Sequence, residues 1–164
     1  DLTRVKRDVV AFSEDLAYNF GPFMLPETYE QLWLPYHKKV IDFLKDSGID
    51  IIVLWSSGDL RPLIPLFLRA GFNCLWPLQA TAKMDAVELR HEYGRRLVLV
   101  GNIAKEALIK GKEAIRKEVS YKLGCLMEEG GYVPAIDDRV PPDVSLQNYA
   151  YYVDALKNFP LAKT

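Results

Sequence analysis

The sequence predicts an α/β fold in which short buried strands alternate with amphipathic helices. Five apolar runs of strand length recur along the chain, at residues 9–12, 49–55, 72–76, 97–100 and 132–136. The runs at 51–54 and 97–100 are rich in β-branched residues and lack polar alternation, which is typical of strands covered on both faces of a parallel sheet. Helical periodicity fills the segments between the runs, so the chain contains five successive βα units.

Proline and glycine positions delimit the predicted helices. Pro26 favours the start of the first helix, because an N–H in the first turn has no intrahelical partner. Pro35 is expected to break or kink it, and Ser145 can cap the last helix. Gly48, Gly71, Gly94 and the pair at 130–131 mark helix ends. The predicted helices span residues 27–34, 36–45, 60–69, 85–93, 112–129 and 146–158.

Composition indicates an ordinary globular protein and argues against two classes of partner. The 164 residues are 49% hydrophobic and 26% charged, with a net charge of −1, which predicts a single domain over residues 1–164. The sequence has no cluster of excess basic residues of the kind that binds nucleic acid. No apolar run reaches the roughly 20 residues of a membrane span. Cys74 and Cys125 lie in apolar contexts, so we predict two buried free thiols and a cytoplasmic protein.

The ends of the predicted strands are where ligands are expected. Two architectures fit the pattern, an open doubly wound sheet or part of a barrel, and both bind ligands at the carboxyl ends of their strands. Glu14 and Asp15 follow the first strand, where a buried carboxylate pair can share a proton or simply cap a turn. Ser57 and Asp59 flank Gly58 after the second strand and suggest either an anion site or a helix cap.

Polar residues also follow the other three strands. Gln79 follows the third, and Asn102 follows the fourth as a ligand or a turn residue. Asp138 and Arg139 follow the fifth, where they form a site or a surface turn with an internal ion pair. The two histidines, His37 and His91, fall on predicted helices and are expected to be solvated or packed, which leaves no candidate for a histidine metal site or a Ser-His-Asp triad.

Several strand-end segments, in this order and spacing, resemble the uroporphyrinogen decarboxylase and corrinoid methyltransferase superfamily. They begin with Ser-Glu-Asp-Leu-Ala-Tyr at 13–18 and Gly-Pro at 21–22, and they extend over essentially the whole chain. The remaining segments lie at 34–36, 49–53, 58–59, 77–79, 84–85, 101–103, 130–134 and 140–149.

The resemblance implies the C-terminal five βα units of a (β/α)8 TIM barrel, with about three N-terminal units lying elsewhere. The missing part would come from the same or another chain, with a homodimer possible. The implied activity is decarboxylation of a tetrapyrrole or methyl transfer involving a corrinoid or a corrinoid protein. The predicted catalytic residues are Glu14, Asp15 and Asp138, and the predicted substrate-binding residues are Ser57, Asp59, Gln79, Asn102 and Arg139.

Departures from the family pattern favour a second interpretation. Methyltransferase relatives have a His-x-Cys zinc pair where this chain has Trp55 and Ser57, and a family glutamate corresponds to Gln79. Trp55 offers no ligand lone pair, so zinc is doubtful and no metal ligand is assigned. Asp138 falls near a histidine of the family and retains the capacity to orient pyrrole N–H groups. The alternative is a catalytically silent binding or partner subunit that kept the barrel fold.

Overall fold

The computed structural model describes residues 8–128 and 130–160, and the chain divides into two compact units, Asp1–Trp76 and Pro77–Thr164. The described part of the first unit contains strand β1 (Val9–Ser13), a hairpin of β2 (Ala17–Tyr18) and β3 (Gly21–Pro22), helices α1 (Pro26–Leu32) and α2 (Leu34–Asp46), strand β4 (Ile51–Trp55), a 3-10 turn (Arg61–Leu63), helix α3 (Ile64–Ala70) and strand β5 (Cys74–Leu78). The last two residues of β5 belong to the second unit.

Strands β1, β4 and β5 are parallel, as the predicted βα units require. β1 pairs with β4, with Val9 opposite Ile51, and β4 pairs with β5, with Val53 opposite Cys74. Tyr29, Phe67 and several aliphatic side chains are fully buried between the helices and the strands. The unit therefore has its own apolar core, which fixes the positions of the residues at the strand ends.

The second unit continues the alternation. After the end of β5 come a 3-10 turn (Ala80–Ala82), helix α4 (Ala86–Tyr93), a second 3-10 turn (Gly94–Arg96), strand β6 (Val98–Ile103), helices α5 (Lys105–Lys110) and α6 (Lys112–Leu126), strand β7 (Tyr132–Ile136) and helix α7 (Leu146–Lys157). β6 and β7 are parallel, with Leu99 opposite Tyr132. Ile115, Val119 and Leu123 form the buried stripe of α6, which the helical spacing predicts.

The α/β alternation and the five strand positions are confirmed, and the sheet order β1-β4-β5-β6-β7 follows the chain. The break predicted at Pro35 is confirmed, because α1 ends at Leu32 and α2 begins at Leu34, with Pro35 in its first turn, where a missing N–H costs nothing. Two details differ from the prediction. Asn102 lies within β6 rather than after it. Cys125 is exposed, because it lies off the buried stripe of α6, so the predicted buried thiol is correct only for Cys74.

Two further features concern the limits of these elements. The predicted helix at 112–129 ends at Leu126, and residue 129 lies outside the described residues. None of the helices found in residues 8–128 and 130–160 has the length and apolarity needed to cross a membrane.

Candidate functional site

Glu14 directly follows β1, and its side chain lies beside His37. Its N–H donates to the Trp55 carbonyl over 2.9 Å, which fixes the backbone at the strand end. Its Oε1 lies 3.6 Å from His37 Nε2. Asp15 is exposed, so the pair of adjacent carboxylates is not buried together. Proton sharing between Glu14 and Asp15 stays a prediction.

His37 is held on its other side by Tyr29. The Tyr29 hydroxyl and His37 Nδ1 are 2.7 Å apart, and the imidazole is packed edge-on against Phe12 and Phe72. Burial lowers the pKa of His37, although the nearby Glu14 charge opposes this. Burial also raises the pKa of the Tyr29 hydroxyl, and Glu14 adds to that increase. A neutral imidazole and a protonated phenol therefore lie behind the Glu14 carboxylate.

The loop after β4 is tied to the hairpin that follows β1. The Ser56 hydroxyl accepts from the Leu16 N–H over 3.1 Å and donates to the Ser57 carbonyl over 3.2 Å. Asp59 accepts two hydrogen bonds from the Arg61 guanidinium, of 2.8 and 2.7 Å. The predicted substrate-binding residue Asp59 is thus buried and paired with a cation, and Ser57 is half-buried beside it.

Asp138 lies just beyond β7, paired with a lysine from the start of α5. Lys105 Nζ is 2.8 Å from Asp138 Oδ2, and the Arg139 N–H donates to Oδ1 over 2.7 Å. Burial alone raises the pKa of Asp138, but the hydrogen bond and charge of Lys105 lower it overall. The pKa of Lys105 is raised by the same pair, against the effect of burial. Both groups are therefore charged at neutral pH, and the predicted partner Arg139 has an exposed side chain.

The neighbouring Asp137 is a structural anchor. It is fully buried and accepts from the Ala80 N–H over 2.9 Å and from the Lys105 N–H over 3.0 Å. Burial raises the pKa of Asp137, and these two N–H groups act against that increase. Gln79, predicted to bind substrate, donates to the Thr81 hydroxyl over 3.0 Å. Asp137 therefore fastens the segment after β5 and the start of α5 to the end of β7.

Asn102 uses all four hydrogen-bonding positions of its side-chain amide within the protein. Its Nδ2 donates to the carbonyls of Leu78 and Met84. Its Oδ1 accepts from the Ala86 N–H over 2.8 Å and from Lys122 Nζ over 2.6 Å. Because an amide has two donor and two acceptor positions, the arrangement supports a structural role, and substrate binding by Asn102 stays a prediction.

The structure thus places the predicted residues in separate local groups. In the first unit, Glu14 meets His37, which the sequence did not single out as a site residue. In the second unit, Asp138 and Arg139 follow the end of β7, and Asp138 pairs with Lys105. Lys105 is also not among the site residues predicted from the sequence. A signal for His37 exists, since it shares the buried face of α2 with Ile41 and Leu44 at helical spacing.

The residues at the implied zinc position do not fit zinc. Trp55 has no available lone pair, and the Ser57 hydroxyl is a poor ligand compared with thiolate or imidazole. Across residues 8–128 and 130–160, no group of three or more His, Cys, Asp or Glu side chains is arranged to hold a metal ion.

A family model described as uroporphyrinogen decarboxylase (URO-D) matches residues 12–159. The uroporphyrinogen decarboxylase of Legionella pneumophila (strain Paris) is 24% identical over 140 residues, covering 84% of this chain and 38% of its own length. That of Hordeum vulgare is 24% identical over 135 residues, covering 80% and 39%. A methyltransferase from Methanosarcina mazei shares the fold, with a TM-score of 0.65 and 23% identity over 93% of this chain and 42% of that one. The chain spans about two fifths of the length of these proteins.

Proposed function

Because the chain belongs to the uroporphyrinogen decarboxylase family, we propose that it is part of an enzyme that decarboxylates a tetrapyrrole. The supporting observation is the Asp138–Lys105 pair at the end of β7, with side chains 35% and 19% exposed. A carboxylate has about four acceptor positions and an ammonium has three donors. The pair therefore retains capacity for a ligand that carries both pyrrole N–H groups and carboxylates, as uroporphyrinogen does.

The chemistry of decarboxylation matches these charges. Loss of CO2 breaks a C–C bond, and the carbon then takes up one proton. A pyrrole ring that is protonated before the C–C bond breaks carries a positive charge, and a carboxylate that accepts its N–H stabilises that charge. Asp138 has this role in the proposal, Lys105 keeps Asp138 ionised and contacts a substrate carboxylate, and Arg139 offers a second cation.

The test is turnover of uroporphyrinogen by the purified protein with its complete barrel, under reducing conditions, followed by chromatography of the oxidised porphyrin products. We expect Asp138→Asn to lower kcat/KM by about 10²-fold, the usual effect of removing one group that stabilises the transition state. Asp143→Asn makes the same chemical change at an exposed position and is the matched control. Equal activity of the two variants would contradict the assignment of Asp138.

A binding titration followed by absorbance, alongside the turnover assay, separates the alternative functions. Saturable absorbance changes with cob(I)alamin or methylcobalamin, and none with uroporphyrinogen, would favour a corrinoid substrate and methyl transfer. Binding of a tetrapyrrole without turnover would favour the silent partner subunit, which is supported by Trp55, Ser57 and Gln79 at positions where relatives have ligands or an acid. Binding of neither class would exclude the family's chemistry for this chain.

We also propose that the five βα units are the C-terminal part of a (β/α)8 barrel. Two features of the first unit support this. Strand β1 is at one end of the sheet order, and its apolar residue Val9 is 48% exposed. Helix α2 and the residue before it expose an apolar stripe of Trp33, Tyr36, Val40 and Phe43, at the spacing of a helix-packing face. A further βα unit from the same or another chain would cover both.

A further inference from the structure

We propose that Tyr29 and His37 form a buried relay that positions the Glu14 carboxylate at the end of β1. This inference rests on the proposed function. In the proposed decarboxylation a group must supply the proton that the carbon takes up, in addition to the carboxylate that binds the pyrrole N–H. Glu14 is the group that exchanges the proton. Tyr29 and His37 are positioning residues that keep their own protons.

The geometry joins three separate elements of the first unit. Tyr29, on α1, is fully buried, and His37, on α2, is 8% exposed. They are linked by the 2.7 Å contact between the hydroxyl and Nδ1. The far side of the ring faces Glu14 across 3.6 Å, and the Glu14 side chain is 32% exposed. One end of the relay is therefore enclosed by the core, and the other opens at the strand end, where ligands bind in parallel α/β folds.

The direction of the hydrogen bonds follows from the position of Glu14. Burial lowers the pKa of His37, so the ring is neutral and carries one proton. A carboxylate only accepts hydrogen bonds, so Glu14, 3.6 Å from Nε2, favours the tautomer with the proton on Nε2. Nδ1 is then an acceptor for the Tyr29 hydroxyl, which keeps its proton because burial raises its pKa. The other side chains in ring contact with His37 are Phe12 and Phe72, which do not titrate. Tyr29 and Glu14 together therefore select the tautomer.

The 3.6 Å separation is longer than a hydrogen bond, and the relay has room to tighten. Catalytic contacts are often long without substrate and shorten in the complex. A bound substrate that excludes water from the Glu14 carboxylate would strengthen its attraction to the Nε2–H. The relay therefore orients Glu14 without transferring a proton itself.

The first experiment is nuclear magnetic resonance of the imidazole nitrogens, which needs no substrate. The spectra are recorded on the protein with its complete barrel, and comparison with His37→Gln identifies the signals of His37. We expect His37 to carry its proton on Nε2 at neutral pH and to have a pKa below the ordinary value of a histidine. Glu14→Gln should lower that pKa further, since the Glu14 charge raises it. Glu27→Gln, the same change at an exposed position of α1, should leave it unchanged.

Two results of the resonance experiment would overturn the relay. One is a His37 ring protonated on Nδ1, and the other is a His37 pKa that responds equally to Glu14→Gln and Glu27→Gln. Tyr29→Phe keeps the ring that packs against Phe67 and removes only the hydroxyl. It should leave a mixture of tautomers while the amide spectrum stays dispersed, which separates loss of the relay from loss of the fold.

The second experiment measures turnover and separates the relay from the proposed function. We expect Tyr29→Phe and His37→Leu to lower kcat by about tenfold or more with little change in KM, because misplaced catalytic groups slow the chemical step. His37→Gln, whose amide N–H replaces the Nε2–H, should retain more activity than His37→Leu. An inactive wild type with an intact relay contradicts the proposed function. An active wild type whose kcat is unaffected by Tyr29→Phe and His37→Leu contradicts the relay.

Discussion

At the scale of single residues, Asn102 joins β6 to the segment that leads into α4. Its φ of 66° lies in the left-handed region, which asparagine tolerates better than other residues with a Cβ. Asn102→Ala removes four buried hydrogen bonds and adds backbone strain, so we expect a loss of about 3 kcal/mol or more in the free energy of unfolding. Asn102→Gly removes the same bonds without the strain and should be about 1 kcal/mol less harmful. Urea unfolding measures both.

The control for this prediction is Asn158→Ala. The Asn158 side chain donates one exposed hydrogen bond to the Asp154 carbonyl, so its loss should change the free energy of unfolding by about 0.5 kcal/mol or less. If Asn102→Ala is as mild as Asn158→Ala, then the buried amide does not anchor the segment, and the substrate-binding role predicted for Asn102 regains support.

Lys122 Nζ lies 2.8 Å from Asp85 Oδ2, and this ion pair predicts a pH dependence of stability. Burial alone raises the pKa of Asp85, but the hydrogen bond and charge of Lys122 lower it overall. A carboxylate with a lowered folded-state pKa stabilises the protein above its unfolded-state value, about 4. That contribution is lost as the pH falls through the folded-state value. Urea midpoints between neutral pH and pH 3 should therefore fall less steeply for Asp85→Asn than for the wild type. Parallel curves would contradict the coupling.

Single residues also show what the sequence predicts of the site and what it does not. Glu14 and Asp138 were identified because each follows a buried apolar run, and strand ends are local features of a sequence. Their partners His37 and Lys105 lie 23 and 33 positions away and were missed. The helix residue that faces a strand end is set by the rotation of the helix about its axis when it packs. Apolar spacing alone does not determine that rotation.

At the scale of elements, the hairpin of β2 and β3 depends on one glycine after β4. Gly58 has a φ of 90°, and a Cβ placed there would lie 2.5 Å from the Ala17 carbonyl oxygen. The adjacent Asp59 N–H donates to the Tyr18 carbonyl over 2.8 Å. Gly58→Ala should therefore displace the hairpin and cost about 2–4 kcal/mol, through both the clash and the backbone strain. Faster hydrogen exchange of the Asp59 amide would report the displacement.

Gly48 provides the matched control within the same unit. Its φ is 84°, and a Cβ placed there meets nothing within 4 Å. Gly48→Ala thus introduces a similar backbone strain without the clash, and about 1 kcal/mol is expected. Equal losses for the two variants would show that the close approach of Gly58 to Ala17 contributes nothing.

The elements that the sequence missed are short. Strands β2 and β3 have two residues each, and α5 has six, so none is long enough for a recognisable periodicity. The Asp137 carboxylate accepts the Lys105 N–H at the start of α5, a contact between segments far apart in the chain. Long elements such as α6 were predicted correctly because their buried stripe repeats several times.

At the scale of the whole molecule, the proposed barrel predicts how residues 1–164 behave without further chain. An incomplete barrel leaves a strand edge unpaired and apolar side chains exposed, both of which promote association. In sizing and light scattering, we expect the 164-residue chain alone to self-associate, and in thermal unfolding to lack a sharp transition. A non-aggregating monomer with a cooperative melt would contradict the proposal.

The stripe on α2 shows where the additional units would make contact. Val40 is 46% exposed and Lys39, beside it, is also exposed. If a neighbouring helix covers the stripe in the complete protein, Val40→Ser should lower the free energy of unfolding by about 1 kcal/mol, the value of burying the remaining half of a valine side chain. Lys39→Ser lies outside the stripe and should change it by about 0.5 kcal/mol or less. Residues 1–164 alone are expected to lack a cooperative transition, so the comparison there uses hydrogen exchange of the α2 amides, which should be the same in the two variants. A difference that persists there would mean that the stripe is buried by this chain itself or by another copy of it, and not by the additional barrel units.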